Sequence, residues 1–539
     1  MATKKRPHMA RVKKAWDPAL WASKKPFGIG EQHPNNFAEI TRAIRENRDE
    51  AGFAWRIISQ GVCDGCALGV SGLHDWTMDG PHLCNIRLRL LRLNTMAALD
   101  PSLLANVSEL RNLKSSELRE LGRLPYPMIR HQGDAGFRRI GWDEALDQIA
   151  AKIRSTTPDR IGFYLTSRGT PNETYYIAQK AVRAMGTNSV DNAARICHAP
   201  SSVALKQTLG IAATSCSYGD WIGTDLLVFI GANPANNQPV TTKYMYYAKK
   251  AGTKIVTINT YREPGMERYW VPSVTESALF GTKITDETFL INTGGDVAFL
   301  NGALKHIIEN DLLDHDFIAQ HTTGFDQAKA DVAAQSWTDL EAHAGVPESE
   351  MRRFGEMLGR SRTAVLVWSM GITQHSFGED GVRAIVNLGL TRGFIGRERC
   401  GLMPIRGHSG VQGGAEMGAY STAFPGGAPV NADNAAKLTA EWGFDVPATP
   451  GMTTAEMLDA AHDGTLDLLF SAGGNFKETM PDPCFVDEAL SRIPLRVHQD
   501  IVVSSQMLVD PGETVMLLPA ATRYEMPGGI TQTSTERRI

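Results

Sequence analysis

One grouping in this sequence could do metal chemistry: Arg195, Cys197 and His198 stand within four residues. The segment that follows, 199–202, is typical of a helix start, with a proline in the first turn and hydroxyls that can cap free N–H groups. A thiol near a helix N-terminus and beside cationic side chains lies in positive potential, which lowers its pKa and favours the thiolate that binds metals. The sequence therefore predicts a metal-binding Cys197, with a buried, inert cysteine as the alternative.

Three further cysteines form a second grouping. Cys63 and Cys66 have the C-x2-C spacing, and Cys84 follows them. A C-x2-C turn lets two thiolates reach one metal ion or cluster, and Gly65 permits the tight backbone that this needs. The spacing leaves three alternatives open: an iron–sulfur cluster, a zinc ion or plain thiols.

The elements that must position these groups alternate along the chain. Apolar runs of strand length, each followed by a loop rich in Gly, Asn or Ser, occur at 161–165, 226–230, 254–258, 364–368 and 466–470. Helical periodicity occurs at 36–47, 88–99, 109–121 and 142–153. Continuous apolar strands that alternate with helices predict parallel sheets covered on both faces, and ligands bind beyond the carboxyl ends of such strands. None of the loops is a G-x-G-x-x-G or a P-loop, so each could also be an ordinary strand–helix turn.

Composition limits the classes of protein to consider. A chain of 539 residues is too long for one core, so several domains are expected. A net charge of −4 gives no indication of a nucleic-acid partner or a membrane surface, and no apolar run is long enough for a membrane span. Seven scattered cysteines argue against a disulfide framework and for a reducing compartment, so we expect a cytoplasmic protein.

Several motifs occur in the order found in the molybdenum formate dehydrogenases of the dimethyl sulfoxide reductase family, which the chain resembles from about Cys63 to its end. The motifs lie at 167–173, 192–201, 231–235, 370–374, 406–413 and 515–529. In that family the position matching Cys197 holds a cysteine or selenocysteine bound to molybdenum. The positions matching His198 and Arg383 are the neighbouring histidine and the arginine of the active site. The resemblance thus implies that Cys197, His198 and Arg383 are catalytic, with Cys197 also the molybdenum ligand.

The resemblance also implies a molybdenum ion held by two molybdopterin guanine dinucleotides, which the loops after the strands would bind. The residues implied to bind this cofactor are Arg168, Gly169, Asn172, Gly231, Asn233, Pro234, Gly294, Asp296, Met370, Gly371, Gln374, Arg406, Gly407, His408, Gln412 and Gly413. Two positions depart from the family pattern: Gly295 replaces a threonine of its Gly-Thr-Asp motif, and Asn259 stands where many members have aspartate.

A four-iron, four-sulfur cluster on Cys63, Cys66 and Cys84 is the third implication of the resemblance. The family uses four cysteines, but Val70 stands about where the third would be. A fourth ligand would then be His74, Asp75, His82 or solvent. The lysine that follows the last cysteine in the family is also missing. These departures resemble a divergent subgroup of formate-dehydrogenase-alpha-like proteins, some of which are linked to acid resistance.

The predicted activity is oxidation of formate or a similar small substrate by two-electron transfer to molybdenum. Arg383 can hold a carboxylate through two parallel hydrogen bonds, and His198 would orient the substrate or take a proton, since imidazole titrates near neutrality. Electrons would leave through the cluster to an acceptor protein that the sequence does not identify, and no flavin or nicotinamide motif is present in it. The alternative is a non-catalytic redox, assembly or acid-stress subunit that retains the fold. The lost cysteine and lysine favour it, whereas the retained Cys197, His198 and Arg383 oppose it.

The resemblance implies an α/β, multi-domain molybdopterin oxidoreductase fold with doubly wound parallel sheets. We expect an irregular N-terminal extension (1–58) on the surface and an iron–sulfur and cap region (59–120, completed by about 510–539). One α/β cofactor-binding domain would comprise 121–192 with 386–510, and a second 193–385. The family continues into a β-rich domain, which we expect to be absent from this chain because it stops at Ile539.

Overall fold

Two mainly parallel β-sheets organise the protein, which is described here by a computed structural model covering residues 11–13, 15–34, 36–75 and 77–539. The strands in these residues are β1 (Met128–His131), β2 (Arg138–Arg139), β3 (Ile161–Leu165), β4 (Val190–Asn192), β5 (Leu226–Ile230), β6 (Lys254–Asn259), β7 (Arg268–Tyr269), β8 (Thr282–Lys283), β9 (Glu287–Leu290), β10 (Ala364–Trp368), β11 (Gly401–Pro404), β12 (Leu468–Ala472), β13 (Leu495–Asp500) and β14 (Thr514–Pro519). The first sheet has the order β2-β1-β14-β13-β12-β3-β4, with β1 and β2 antiparallel at one edge. The second sheet, β11-β10-β5-β6-β9, is parallel throughout.

Helices connect these strands and cover both sheets. In chain order they are α1 (Asn36–Glu46), α2 (Ala51–Gln60), α3 (Asn85–Thr95), α4 (Ser115–Glu120), α5 (Trp142–Ser155), α6 (Asn172–Ala184), α7 (Arg195–Leu209), α8 (Pro234–Asn237), α9 (Thr242–Lys250), α10 (Pro264–Glu267), α11 (Thr275–Phe280), α12 (Asp296–Glu309), α13 (His315–His321), α14 (Phe325–Ala333), α15 (Trp337–Ala344), α16 (Glu348–Arg360), α17 (Met370–Thr373), α18 (Gly378–Thr391), α19 (Val411–Glu416), α20 (Ala432–Trp442), α21 (Thr454–His462), α22 (Phe476–Thr479) and α23 (Pro483–Arg492). No helix of the described residues is both long enough and apolar enough to cross a bilayer.

Burial on both faces explains why the strand residues are continuously apolar. In β5, Leu226, Val228 and Ile230 pack into a core with α12, α16 and α18. The intervening Leu227 and Phe229 pack into a separate core with α9. Both faces of the strand therefore lie against helices, and the predicted doubly wound architecture is confirmed.

Most predicted elements occur with small shifts. The strands predicted at 161–165, 226–230 and 364–368 are confirmed, whereas the one at 466–470 lies two residues later, because the ladder with β3 starts at Leu468 and Leu466 fills the core below it. The helix predicted at 109–121 is interrupted. Glu117 accepts a hydrogen bond from the backbone N–H of Lys114 at 2.7 Å, which starts the separate short helix α4.

The N-terminal extension is more ordered than predicted. Besides the predicted α1 it contains most of α2, which was not predicted and continues to Gln60, and residues 1–10 lie outside the described part of the chain. Trp21 stacks on Phe280 at 4.0 Å between ring centroids, and its Nε1–H donates to Glu276 at 2.9 Å. The segment before α1 therefore lies against α11, on the side of the second sheet.

Two strands lie in sheets other than those of the predicted division. β11 pairs with β10 in the second sheet, although 386–510 was counted with the first domain. β14, counted with the cap region, lies between β1 and β13 in the first sheet. In both cases the chain leaves a sheet at the end of one strand and returns to form the next strand beside it, in parallel. The domain boundaries themselves remain a prediction.

Candidate functional site

Cys197 lies in the first turn of α7, immediately after β4. The backbone N–H of Ala194 donates to Asn192 Oδ1 at 2.8 Å, and Asn192 Nδ2 donates to the carbonyl of Ala419 at 2.5 Å, so that the turn before the helix is tied to the first sheet. The helix starts at Arg195 rather than at 199 and is kinked at His198, where φ is −129° and ψ is 20°. The predicted start therefore corresponds to the helix beyond the kink, where a proline is tolerated.

Residues that follow strands of the second sheet hold Cys197 from the other side. The hydroxyl of Thr373 donates to the carbonyl of Cys197 at 2.6 Å, and Gln374 Nε2 donates to the carbonyl of Ile196 at 3.0 Å. Both residues belong to the connection after β10. Cys197 consequently sits where the carboxyl ends of the two sheets meet, the position at which such folds bind ligands.

The thiol of Cys197 is less acidic than predicted. Burial raises its pKa to about 11, although the guanidinium of Arg406 and the backbone N–H of Gly407 act in the opposite direction. The prediction of a lowered pKa was wrong because removal of the thiolate from water outweighs the positive potential. A metal that binds here must displace a proton.

His198 is fully buried and is held by a short chain of hydrogen bonds. Trp368 Nε1–H donates to Ser201 Oγ at 2.9 Å, and Ser201 Oγ lies 3.0 Å from His198 Nδ1. Since indole nitrogen is a donor only, Ser201 accepts from Trp368 and its own proton is free to go to Nδ1, which leaves the imidazole proton on Nε2. Nε2 makes no hydrogen bond of ordinary geometry in the described part of the chain, although the backbone of Ile405 is close enough to act on the ring in the direction that raises its pKa.

The prediction that His198 titrates near neutrality was wrong. Burial, together with the nearby Arg406, lowers the pKa of His198 well below its usual range. The imidazole is therefore neutral and presents an N–H donor rather than accepting a proton from water.

Arg383 is not brought to Cys197. Its guanidinium donates to Glu379 at 2.9 Å and Asp380 at 2.8 Å, both on α18, and to Gln207 Oε1 at 2.5 Å. Gln207 lies ten residues after Cys197 on α7, which is a rise of roughly 15 Å. The predicted grouping of Cys197, His198 and Arg383 is thus only partly present, because Arg383 is held by acidic residues of its own helix.

Arg406 is the cation beside Cys197. It lies two residues after the end of β11, is 4% exposed, and donates to Ser202 Oγ and to the carbonyl of Ala212, both at 3.3 Å. The sequence placed Arg406 among the cofactor residues and missed its position next to the thiol. No strand was predicted before Arg406, so its position just after β11 became visible only in the structure.

A cavity of about 320 Å³ lies beyond the carboxyl ends of β3, β12, β13 and β14. Its lining includes the predicted residues Arg168 and Gly169 and the unpredicted Asp64, Asp500 and Arg523. Gly169 has φ +82°, its N–H donates to Ser409 Oγ at 3.2 Å, and its carbonyl accepts from Arg523 Nε at 3.2 Å.

Arg523 is a site residue that the sequence analysis missed. It is 5% exposed, and its Nη2 is buried with no hydrogen-bond partner among the described residues. A guanidinium N–H at a cavity wall suits an anionic or carbonyl-bearing ligand. Only its place just after the last apolar strand could have identified it.

Another group of predicted residues packs the loops of the first sheet together. His408 Nδ1 lies 3.0 Å from Ser167 Oγ, and burial lowers the pKa of His408 to about 4. Asn172 Nδ2 donates to Thr533 at 3.1 Å, while its Oδ1 is buried and has no partner in the part of the chain that is described. A Cβ on Gly413 would lie 1.8 Å from that oxygen. Glycine therefore lets the segment 406–413 approach the loop after β3, and Gln412 beside it donates to Glu416 at 3.0 Å.

The predicted residues at the second sheet serve largely to build its loops. Gly371 N–H donates to the carbonyl of Gly231 at 3.0 Å, and a Cβ on Gly231 would lie 2.8 Å from the carbonyl carbon of Gly371. Asn233 caps α8, which Pro234 begins, by accepting from the N–H of Asn236 at 3.2 Å. The two glycines thus permit contact between two backbones.

The remaining predicted residues begin helices after strands of the second sheet. Gly294, with φ +81°, precedes α12, whose first residue is Asp296. Burial raises the pKa of Asp296 to about 6, against the effect of the nearby His375. Met370 begins α17, the short helix that carries Thr373. These residues lie along the same edge of the second sheet as Gly231.

Cys63, Cys66 and Cys84 line one buried pocket. The other lining residues are Gly65, Val70, His82, Leu83, Ile86, Arg87, Pro239 and Val240. Burial raises the pKa of all three thiols. No group of three or more His, Cys, Asp or Glu side chains in the described residues is arranged around a single point at the distance of metal ligands.

Comparison with known proteins agrees with the resemblance in the motifs. The family model described as Molybdopterin oxidoreductase matches residues 123–539. Formate dehydrogenase H of Escherichia coli (strain K12) is 32% identical over 389 residues, which are 71% of this chain and 52% of that protein. Protein YdeP of the same strain is 31% identical over 423 residues, 76% of this chain and 54% of that protein.

A solved structure shares the fold. Acetylene hydratase from Pelobacter acetylenicus superimposes with a TM-score of 0.61 at 17% identity, covering 85% of this chain and 62% of that one. The chain spans about half the length of the curated relatives that it matches.

Proposed function

Because the chain belongs to the molybdopterin oxidoreductase family, we propose that it is an oxidoreductase that binds molybdenum as the bis(molybdopterin guanine dinucleotide) complex, with Cys197 as the protein ligand. It oxidises formate or a similar small substrate, and two electrons leave through a [4Fe–4S] cluster to an acceptor protein. The observation that carries the proposal is the position of Cys197, which the connections after β4 and β10 hold where the two sheets meet.

The residues around Cys197 fit this cofactor. Thiolate is the soft ligand that a sulfur-rich molybdenum centre takes, and the cofactor supplies the two-electron redox chemistry when bound. His198 is neutral, and beside the thiol it would act as a hydrogen-bond donor through Nε2–H rather than as a base. Arg406 supplies the positive charge that favours the thiolate of Cys197 and a small anionic substrate.

Each sheet edge would hold one of the two dinucleotides. The cavity beyond β3, β12, β13 and β14 is lined by Arg168 and Arg523, and Nη2 of Arg523 is buried without a partner among the described residues. Buried polar atoms without partners are costly, and the polar edges of a pterin or a pyrophosphate would satisfy them. The loops after β5, β9 and β10, with Gly231, Gly294 and Met370, would accept the second dinucleotide.

An electron path from molybdenum to the cluster fits the arrangement of the first sheet. Asp64 stands between Cys63 and Cys66, and it lines the 320 Å³ cavity whereas those cysteines line the neighbouring pocket. Cys66 also pairs with His408 in an isolated β-bridge, which joins the cysteine loop to the segment that follows Arg406. The loop that carries Cys63, Asp64 and Cys66 therefore contributes residues to both the cavity and the cysteine pocket.

The proposal is tested on full-length protein purified without oxygen from cells competent for cofactor synthesis. We expect about one molybdenum per chain, guanine nucleotide released on acid treatment, and formate-dependent reduction of an artificial acceptor. Cys197→Ala should lose molybdenum, whereas Cys484→Ala, at an exposed position on α23, should not. A wild-type chain without molybdenum contradicts the cofactor assignment. A loaded chain that is inert toward formate contradicts only the substrate and leaves the non-catalytic alternative.

A further inference from the structure

His82 lies in the same buried pocket as Cys63, Cys66 and Cys84 and is 1% exposed. Most of the remaining lining is apolar. Its one other polar side chain, Arg87, is a cation that donates to the carbonyls of Ile57, Ile58 and Gly61 at 3.2, 3.1 and 3.0 Å. Among the lining residues, His82 is therefore the only one besides the cysteines whose side chain can give a lone pair to iron.

The two ring nitrogens of His82 have different surroundings. Nε2 lies 2.9 Å from Asp75 Oδ1, and Nδ1 is buried without a hydrogen-bond partner in the described residues. A metal-binding histidine commonly donates its second N–H to a carboxylate in this way, which orients the ring and leaves the other nitrogen for the metal. The backbone N–H of Asp75 also lies 3.0 Å from Nε2, but it could donate there only if the proton stood on Nδ1. Iron at Nδ1 selects the tautomer that pairs with the carboxylate.

Asp75 is fixed as the acceptor by other hydrogen bonds and does not itself line the pocket. Its Oδ2 accepts from the N–H of Ser71 at 2.7 Å, and its Oδ1 accepts from the N–H and hydroxyl of Thr77 at 2.7 and 2.5 Å. Although burial acts to raise the pKa of Asp75, the hydrogen bonds from His82, Thr77 and Ser71 hold it well below its usual range. The remaining candidate from the sequence, His74, is exposed and does not line the pocket.

We propose that His82 is the fourth protein ligand of the iron–sulfur cluster, binding iron through Nδ1, with Asp75 as its positioning residue. The inference deepens the proposed function and rests on the presence of a cluster at these cysteines. Three thiolates and one neutral imidazole make the site less negative by one charge than four thiolates. Replacement of a cysteine by histidine raises the reduction potential of a cluster, so this one should accept electrons more readily than a four-cysteine counterpart.

The test uses full-length protein purified without oxygen, with iron content and electron paramagnetic resonance of the dithionite-reduced protein as readouts. Wild type should carry about four irons per chain. Its reduced cluster should show a nitrogen hyperfine coupling in electron–nuclear double resonance. His82→Cys should keep the irons, lose the nitrogen coupling and have a lower reduction potential. His82→Ala should lose about one iron per cluster, and His74→Ala, the matched control, should behave as wild type.

The outcomes separate the two proposals. Iron-loaded wild type without nitrogen coupling, or His82→Cys with an unchanged coupling and potential, overturns the assignment of His82 alone. Wild type that contains molybdenum but no iron overturns the proposed cluster, and His82 with it. If His82→Ala gives no folded protein, His82→Cys still decides, because it supplies a ligand of similar reach and only a ligand role predicts the lowered potential.

Discussion

The indole N–H of Trp368, the last residue of β10, donates to the hydroxyl of Ser201 on α7 at 2.9 Å. Through Ser201 the second sheet fixes the ring of His198, whose Nδ1 lies 3.0 Å from the same oxygen. All three side chains are buried. The orientation of the histidine beside the candidate molybdenum ligand therefore depends on the hydroxyl of Ser201.

Removal of that hydroxyl should destabilise the protein. Ser201→Ala leaves Trp368 Nε1 and His198 Nδ1 buried without partners, and one such group costs about 1–3 kcal/mol. Urea unfolding should show a loss of at least that size, since two groups lose their partner, with molybdenum content close to wild type because Ser201 is not a ligand. Ser155→Ala, which alters an exposed serine at the end of α5, is the control. Equal stability of the two variants would show that the chain from Trp368 to His198 is not made.

Replacement of Gly231 should cost more stability than its positive φ alone would explain, because Gly231 contacts the backbone of Gly371. Gly231 and Gly252 both have positive φ, +53° and +91°, so alanine at either costs about 1–2 kcal/mol. Only at Gly231 would the new Cβ meet backbone, 2.8 Å from a carbonyl carbon, whereas at Gly252 nothing lies within 4 Å. Gly231→Ala should lose about 1–3 kcal/mol more than Gly252→Ala in denaturant unfolding. Equal losses of unfolding free energy would mean that the loop after β5 can shift to accommodate the new Cβ without destabilising the protein.

The parallel sheets could be predicted because a strand that is buried on both faces has a continuous run of apolar residues in the sequence. In β5 every residue is apolar, and each of them packs into one of two separate cores. Strand pairing leaves no such signal, so residues 401–404, which were not predicted as a strand, were counted with the first domain although β11 pairs with β10 of the second sheet.

Site features that depend on residues adjacent in sequence could be predicted. Features that depend on how deeply a residue is buried could not. Cys197 and His198 are adjacent, but their pKa values follow from burial that only the tertiary packing creates. For Arg383, the partners Glu379 and Asp380 were visible in the sequence, whereas Gln207 was not. For the cluster, the sequence left three candidate side chains, and the pocket contains only His82.

Because the pKa of Asp500 is raised in the folded protein, the free energy of unfolding should decrease as the pH rises. Burial raises its pKa to about 7, whereas an unfolded aspartate has a pKa of about 3.9. Between these values the native state holds a proton that the unfolded state has lost, so the free energy of unfolding decreases across this window and the cost is complete above pH 7. Asp500→Asn removes the cost, and its melting temperature relative to wild type should increase from pH 5 to pH 8. Asp459→Asn, at an exposed position on α21, should show no such trend.

Arg406 and Arg383 give opposite predictions for substrate oxidation. Arg406 is buried beside Cys197, so Arg406→Lys should misplace a charge at the reaction centre. The cost should be about 2–4 kcal/mol of transition-state stabilisation, or roughly 30- to 1000-fold in kcat/KM for formate with an artificial acceptor. Arg383→Lys should change kcat/KM less than about threefold, because only exposed ion pairs on α18 and a contact to Gln207 are altered.

The two lysine variants are compared at equal molybdenum content, so that a loss of activity cannot come from a loss of metal. Arg383 reaches Gln207 in this structure, roughly 15 Å along α7 from Cys197. If Arg383→Lys nevertheless loses 30-fold or more while Arg406→Lys does not, the substrate-binding arginine is Arg383. The guanidinium must then leave Glu379, Asp380 and Gln207 and turn toward the thiol when substrate binds. Restored kcat/KM on addition of free guanidinium to Arg406→Ala, but not to Arg383→Ala, would support the assignment to Arg406.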